Sequence, residues 1–170
     1  MNTILTILIL AAPALIILAA IYDVFTMTIP NKISIALIAL FAAVVPFAGL
    51  DWWTALTHVG AGSLVLAIGI GLFALGWVGG GDVKLAAAIS LWIGFGLMLD
   101  YFLIAAIAGG ALTLAILILR RMPLPDMIRR QEWIARLYNP TNGIPYGVAL
   151  AAAAIIVLPN SAAWESLALS

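Results

Sequence analysis

The chain has 170 residues, of which 66% are hydrophobic and 8% are charged, and its seven Lys and Arg residues balance its seven Asp and Glu residues. This composition predicts an integral membrane protein, and it argues against nucleic acid as a partner because phosphate binding needs a basic face. The lack of cysteine and the presence of one histidine exclude disulfides, thiolate metal sites and a histidine metal cage, so we expect no metal and no other cofactor.

Hydrophobic runs divide the chain into six predicted membrane-spanning helices, most of them close to the ~20 residues that cross a bilayer core. Residues 1–170 are predicted to form a single integral-membrane domain. The first run is too long for the apolar part of a cleaved signal peptide, so we expect it to be retained. The predicted spans are about 3–22, 33–50, 55–78, 83–99, 101–119 and 144–158.

The positions of Lys and Arg predict the orientation, because these residues are retained on the cytoplasmic side of a membrane. With six spans they all fall on one side, at Lys32, Lys84 and the arginines 120, 121, 129, 130 and 136. The other side carries Asp51, His58, Asp100 and Glu165. We therefore predict an all-α polytopic membrane protein with both termini outside and its active site at the cytoplasmic face.

Two aspartates lie at helix ends on that cytoplasmic side. Asp23 ends the first predicted helix, and Asp82 begins the fourth, within the segment Gly79-Gly80-Gly81-Asp82-Val83-Lys84. Ionisable groups at a membrane boundary are costly and therefore mark a candidate functional site. Two facing carboxylates suit aspartyl hydrolysis, in which one ionised group takes a proton from water and one protonated group donates to the scissile carbonyl. Helix dipoles favour an ionised Asp82 as the base and a protonated Asp23 as the acid.

Structural roles for the same residues stay open at this point. Asp is a preferred N-cap, so Asp82 also suits the start of a helix, whereas an acid at a helix C-terminus such as Asp23 stabilises little. The glycines also suit a flexible connector, and Lys84 also suits a side chain that snorkels to the membrane surface.

The polar segment from Arg120 to Asn142 is predicted to contain a short interfacial helix. From Asp126 onward its apolar residues fall on one helical face, namely Met127, Ile128, Ile134, Ala135 and Tyr138. Its arginines are expected to hold the topology and to contact anionic lipid, with substrate docking as the alternative.

Three motifs in this order resemble those of the prepilin peptidase, or type IV leader peptidase, family. Gly79-Gly80-Gly81-Asp82 resembles the Gly-x-Gly-Asp signature of intramembrane aspartyl proteases, and Val83-Lys84-Leu85 continues it as in prepilin peptidases. Asp23 followed by Ile29-Pro30-Asn31 is similar to the family's first aspartate motif. The segment 143–149 resembles the motif that opens the last helix. The resemblance covers most of the chain, from Asp23 to about Ala154.

The resemblance implies an intramembrane aspartyl endopeptidase with an Asp23/Asp82 dyad. Such an enzyme removes a short basic cytoplasmic leader from prepilins or pseudopilins, whose N-terminal helix is transmembrane. The chain lacks the zinc-binding cysteines and the N-methyltransferase region of the long members, so it resembles the short stand-alone form that serves Flp-type, tight-adherence pili. The implied location is the bacterial inner membrane, as a multi-pass protein, with the lipid bilayer and the pilus-assembly machinery as further partners.

The other motif residues are expected to support the dyad or to contact the substrate. Glycines beside Asp82 would let an extended substrate backbone approach closely, because they lack a Cβ. Met27 and Thr28 stand where family members commonly have basic residues, which removes an electrostatic contribution of that loop to substrate binding. The expected supporting or substrate-binding residues are Asn31, Gly79, Gly81, Lys84, Pro145, Tyr146 and Gly147.

Other functions stay open for the same carboxylates. A small proton- or ion-coupled transporter would bind ions at Asp23 and Asp82, and it would need a polar route to the outer face. A presenilin-like or signal-peptide-peptidase-like protease is a second alternative, because Tyr22-Asp23 also resembles the Tyr-Asp element of those enzymes. An inactive membrane scaffold is a third.

Overall fold

The computed structural model of the chain describes residues 3–123, 125 and 130–169. Every regular element in this part of the chain is a helix, which confirms the all-α prediction for it. The helices are α1 (Thr3–Thr26), α2 (Asn31–Val44), α3 (Trp52–Ala74), α4 (Gly80–Ile93), α5 (Met98–Leu119), α6 (Glu132–Tyr138), α7 (Gly147–Val157) and α8 (Ala162–Leu169), with a 3-10 turn at Leu158–Asn160.

Three of these helices, α1, α3 and α5, are long and apolar enough to cross a membrane. The helix α2 and the segment Gly147–Asn160 are apolar but shorter. The 14 residues of α2 reach about 21 Å, whereas a bilayer core is about 30 Å thick. The helices fit a membrane protein, and the six-span topology with both termini outside stays a prediction.

The helix ends follow from local backbone chemistry. The helix α2 ends at Val44, before the predicted boundary, because Pro46 follows and a helix rarely continues through the residue before proline. The helix α4 ends at Ile93 because Gly94 adopts a left-handed φ of 67°. The predicted fourth span to residue 99 was therefore too long. At the start of α3, the Asp51 side chain accepts a hydrogen bond from Thr54 N at 3.3 Å and caps the helix.

The helix α4 forms the centre of the bundle. Its residues from Leu85 to Ile93 are all buried, as expected for a helix that is apolar on every side. It packs against α2, α3 and α7, and the Trp92 indole N–H donates to the Leu37 carbonyl of α2 at 3.0 Å. The missing side chain of Gly62 on α3 allows that helix to approach α4 closely. The buried helix carries Asp82, in its first turn, to one end of the bundle.

The only histidine lies near the opposite end of α4. His58 of α3 is buried, its Nδ1 lies 2.8 Å from the Leu91 carbonyl oxygen, and its ring stacks on Phe41 of α2. The side chain also packs against Gly94. His58 therefore joins three helices, far along α4 from Asp82.

One end of the bundle brings together the C-terminal end of α1 and the N-terminal ends of α2, α4 and α7. Two hydrogen bonds join these ends across long sequence distances. Gly147 N–H of α7 donates to Asp23 Oδ2 of α1 at 2.7 Å, and Lys84 Nζ of α4 donates to Asn31 Oδ1 of α2 at 2.9 Å. The three sequence motifs thus lie together in the fold.

Candidate active site

Asp23 lies in the last turn of α1, which extends to Thr26 and so ends later than predicted. Its side chain is buried, with 5% of its surface exposed. Gly147 is the first residue of α7, and such an N–H has no partner within its own helix. Its hydrogen bond to Asp23 Oδ2 both satisfies this donor and stabilises the ionised carboxylate. The fold therefore holds Asp23 in one place.

Asp82 lies in the first turn of α4, and the N-cap of that helix is Gly79. The alternative that Asp82 acts as the N-cap was therefore wrong. Among the described residues the Asp82 carboxyl has no hydrogen-bond partner. Asp82 precedes the predicted fourth span and lies outside the three long helices. Burial of its carboxyl, followed by the charge of Asp23, raises the pKa of Asp82 to about 7.

The two carboxylates converge on two cavities. The first, which we call the loop-side cavity, has a volume of about 340 Å³ and is lined by both aspartates with the loop 27–31 and Gly79–Gly81. The second, the helix-side cavity, has a volume of about 570 Å³ and is also lined by both aspartates. Asp23 and Asp82 therefore both line each of the two cavities.

The contacts of the two carboxyls favour Asp23 as the base and Asp82 as the acid, which is the opposite of the assignment expected from the helix ends. Burial disfavours a charge on both carboxyls. At Asp23 the hydrogen bond from Gly147 offsets part of this cost, whereas at Asp82 the nearby charge of Asp23 adds to it. A hydrogen bond to a charged group contributes about 1.5–3 kcal/mol, whereas a helix end contributes up to about 2 kcal/mol at a partly buried site.

The glycines around the dyad make room for the protein's own atoms. A Cβ added at Gly79 would lie 2.8 Å from Asp82 Oδ2, and one added at Gly147 would lie 2.8 Å from Asp23 Oδ2. A Cβ added at Gly81 would lie 3.2 Å from Cβ of Ile29 in the neighbouring loop. These glycines are needed because the carboxylates and the loop fill the space. Close approach of a substrate backbone to them stays a prediction.

Lys84 and Asn31 form a contact beside the dyad rather than within it. Their hydrogen bond joins the exposed Lys84 side chain of α4 to the start of α2. Asn31 also lines the loop-side cavity, whereas Lys84 lines a separate groove. Of these two predicted residues, the structure brings only Asn31 to the cavities that contain the aspartates.

Tyr146 reaches the helix-side cavity, and its ring packs directly over Gly109 of α5. Its hydroxyl donates to the Ala105 carbonyl at 3.4 Å. Pro145 precedes it in the turn that starts α7, where a proline loses no helical hydrogen bond. Tyr146 thus ties the first turn of α7, and the Gly147 donor that follows it, to α5.

Three residues that the sequence did not predict as site residues also line the helix-side cavity, namely Met27, Trp77 and Thr113. Met27 has a φ of 55°, which is uncommon outside glycine, and it closes the C-terminal end of α1 directly after the dyad turn. Trp77 follows Gly76, which also has a left-handed φ of 74°. Its position two residues before the glycine run was the signal that could have identified it.

The segment between α5 and α7 packs against the active-site end. Arg120 donates to the carbonyls of Leu137, Asn142 and Gly143 at 2.7, 3.1 and 3.2 Å. Arg136 of α6 donates to the Phe25 carbonyl at 3.3 Å, and Trp133 contacts the Phe25 ring edge-on. These two arginines therefore support the fold beside Asp23, beyond the expected contacts with lipid. The predicted helix residues Asp126, Met127, Ile128 and Arg129 lie outside the described residues.

A search of the described ranges finds no group of three or more His, Asp or Glu side chains that could hold a metal ion. The acidic groups that the fold does bring together are the two aspartates of the dyad.

Comparisons with known proteins place these motifs in context. The profile of the Type IV leader peptidase family matches residues 9–114, which include both aspartates and end before the Pro145-Tyr146-Gly147 segment. The chain is similar to the prepilin leader peptidase/N-methyltransferase of Bacillus subtilis (strain 168), with 38% identity over 117 residues. That alignment covers 66% of this chain and 47% of the relative, so the chain spans about half the length of the curated relative. No solved structure matches the chain.

Proposed function

Because the chain belongs to the type IV leader peptidase family, we propose that it is a membrane-embedded aspartyl endopeptidase that removes the leader peptide from type IV prepilins. The observation that carries the proposal is the convergence of Asp23 and Asp82 on the same two cavities. A carboxylate pair of this kind needs only water as a co-reactant.

In the proposed reaction Asp23 is the base and Asp82 is the acid. Asp23 takes a proton from water while the water oxygen attacks the scissile carbonyl carbon, and Asp82 donates its proton to the carbonyl oxygen. As the tetrahedral intermediate collapses, the C–N bond breaks, Asp23 passes its proton to the leaving amine, and Asp82 recovers a proton from a hydroxyl of the intermediate. The hydrogen bond from Gly147 to Asp23 supports this assignment.

The proposed substrates are Flp-type prepilins or pseudopilins, which carry a short basic leader followed by a transmembrane helix. We propose that the dyad end of the bundle faces the cytoplasm of a bacterium and that the protein is a multi-pass protein of the inner membrane. The distribution of Lys and Arg in the sequence supports this orientation. The pilus-assembly machinery is a further proposed partner.

The other motif residues support the dyad in this proposal. Gly79, Gly81 and Gly147 leave room for the two carboxylates and for the loop beside them. Tyr146 and Pro145 position the first turn of α7, and Lys84 with Asn31 ties α4 to α2.

Ion-coupled transport by the same carboxylates predicts a polar route across the membrane. The cavity that continues from Asp82 between α3 and α5 is lined almost wholly by apolar side chains, which favours the protease over the transporter.

A cleavage assay in reconstituted membranes tests the proposal. The intact protein and the variants Asp23→Asn and Asp82→Asn are incubated with a panel of Flp-type prepilins, and product is measured by mass spectrometry. We expect each variant to lose about 10²-fold or more in rate, because acid–base catalysis contributes about that much. Asp51→Asn is the matched control, since Asp51 is an exposed N-cap that asparagine also satisfies. Normal cleavage by either dyad variant would remove that aspartate from the mechanism.

A further inference from the structure

An apolar groove runs between α3 and α5 and ends at the dyad. We call it the α3–α5 groove. It has a volume of about 490 Å³, and its floor comes from α4 and α7. Its walls include Leu64, Ile68 and Leu72 of α3 with Phe102 and Ala106 of α5.

The two walls of this groove belong to helices that pack on different neighbours. The helix α3 packs chiefly against α4, and α5 packs chiefly against α7, so the space between α3 and α5 stays open along its length. Leu64, Ile68 and Phe102 are exposed. The stretch from Leu64 to Leu72 is about 12 Å long at about 1.5 Å per residue, which is close to two helical turns.

The groove is continuous with the active site. It shares Val78, Asp82 and Tyr146 with the helix-side cavity. On the other side of the dyad, the loop-side cavity is lined by three glycines and by polar residues, among them Thr28 and Asn31. The lining therefore changes from polar to apolar across the two aspartates.

We propose that the α3–α5 groove binds the first two turns of the hydrophobic helix that follows the cleavage site of the substrate, and that this helix enters sideways from the bilayer between α3 and α5. The inference rests on the proposed function. A substrate with a polar leader, a scissile bond and then an apolar helix matches the order of loop-side cavity, dyad and groove. Small residues at Ala86 and Ala106 leave space for the side chains of such a helix.

Two other apolar grooves fit the substrate less well. The α2–α3 groove, of about 500 Å³, and the α1–α7 groove, of about 410 Å³, contain neither aspartate in their linings. Lys84 also lines the α2–α3 groove, and its positive charge would repel a basic leader. The α3–α5 groove is the one of the three that delivers an apolar helix to a catalytic carboxyl.

Photo-cross-linking distinguishes the three grooves. Three exposed alanines offer matched positions, since Ala106 lines the α3–α5 groove, Ala42 the α2–α3 groove and Ala152 the α1–α7 groove. Each is replaced in turn by p-benzoylphenylalanine in the uncleaving Asp23→Asn background, and a Flp-type prepilin that the intact protein cleaves is added. We expect cross-links from position 106 to the residues just after the cleavage site. Equal or stronger cross-links from position 42 or 152, or none from position 106, would overturn the inference.

A kinetic test uses the same positions. Ala106→Trp should fill the groove and lower kcat/KM for the prepilin by at least about tenfold, mainly through KM, whereas Ala42→Trp should leave it unchanged. Unchanged kinetics for Ala106→Trp contradict the groove as the binding site. Failure of the intact protein to cleave any prepilin is a separate result, because it rejects the proposed function itself.

Discussion

The α3–α5 groove and the α2–α3 groove lie on two different faces of α4 and differ little in size, at about 490 and 500 Å³. Both are mainly apolar, yet the first ends at the Asp82 carboxyl, which has no hydrogen-bond partner among the described residues, and the second at the Lys84 ammonium, which is bonded to Asn31. Volume does not distinguish the grooves. The ionisable group at the end of each groove does.

The register of one helix explains this difference. Asp82 and Lys84 are two positions apart, and two residues of an α-helix are rotated by about 200°. The two side chains therefore point to different faces of α4 although they are almost adjacent in sequence. One continuous sequence motif thus contributes to two surfaces, one with the Asp82 carboxyl and one with the contact between Lys84 and Asn31.

Among substitutions near the aspartates, at the end of the α3–α5 groove, replacement of Gly147 should cause the largest loss of cleavage activity. In Gly147→Ala the new methyl group would lie 2.8 Å from Asp23 Oδ2 and 2.9 Å from Ile29 Cδ1, so the carboxylate must move. We expect cleavage to fall by about 10²-fold, because a misplaced base loses its contribution to catalysis. The prepilin cleavage rate is the measurement.

The control for that experiment is Gly71→Ala, since no atom lies within 4 Å of a Cβ added at Gly71 of α3. It should cleave at the rate of the intact protein. If Gly147→Ala also keeps its activity, the hydrogen bond to Asp23 is not needed to position the base.

Substitutions of the adjacent residues Gly109 and Gly110 test whether the packing of Tyr146 on α5 supports the site. A methyl group at Gly109 would collide with the Tyr146 ring, whereas one at Gly110 meets no atom within 4 Å. We expect Gly109→Ala to lower the cleavage rate about tenfold by displacing the first turn of α7. Gly110→Ala should have no effect, so equal rates for the two variants would show that Tyr146 does not support the site.

The pH dependence of cleavage tests which carboxyl carries the proton. With the pKa of Asp82 raised to about 7, its acid form is lost as the pH rises above that value, so activity should fall on the alkaline side. Between pH 7 and pH 8 the protonated fraction falls about fivefold, and the rate should follow it. A rate that rises through pH 7 would instead assign the base to Asp82, as the helix ends suggest.

The smallest effect on cleavage is expected from a substitution on the face of α4 that carries Lys84. Lys84→Gln removes a charge that lines the α2–α3 groove and weakens an exposed hydrogen bond to Asn31. Such a contact contributes about 1 kcal/mol to stability, so thermal unfolding should shift by a few degrees and cleavage should change by less than about threefold. A loss of cleavage as large as that of Gly147→Ala would mean that Lys84 acts in the active site.

Much of the fold could be predicted from hydrophobic runs and local breakers. Each of the six predicted spans corresponds to a helix of the structure, and the errors lie at their ends. Pro46 shortens α2, and Gly94 ends α4, because backbone geometry at single residues overrides apolar composition. The three longest predicted runs correspond to the three long helices, but the runs differ much less in length than the helices do.

The candidate site was predictable in its residues but not in its contacts. Asp23 and Asp82 could be identified because carboxylates at the ends of apolar helices are rare and costly. Met27 and Trp77 carried weaker signals, since methionine and tryptophan are common in apolar sequence and only their positions beside the motifs marked them. The role of Gly147 also lay beyond the sequence motif, because a backbone N–H is present at almost every residue.

The sequence by itself determined the helical class, the order of the motifs and the two carboxylates, since these depend on composition and on neighbouring residues. Only the tertiary structure decided which carboxylate is held by a hydrogen bond and which groove ends at Asp82. The bond between Gly147 and Asp23 joins residues 124 positions apart, and the direction of Asp82 depends on how α4 is rotated among its neighbours. Both result from packing between distant segments, which no local pattern contains.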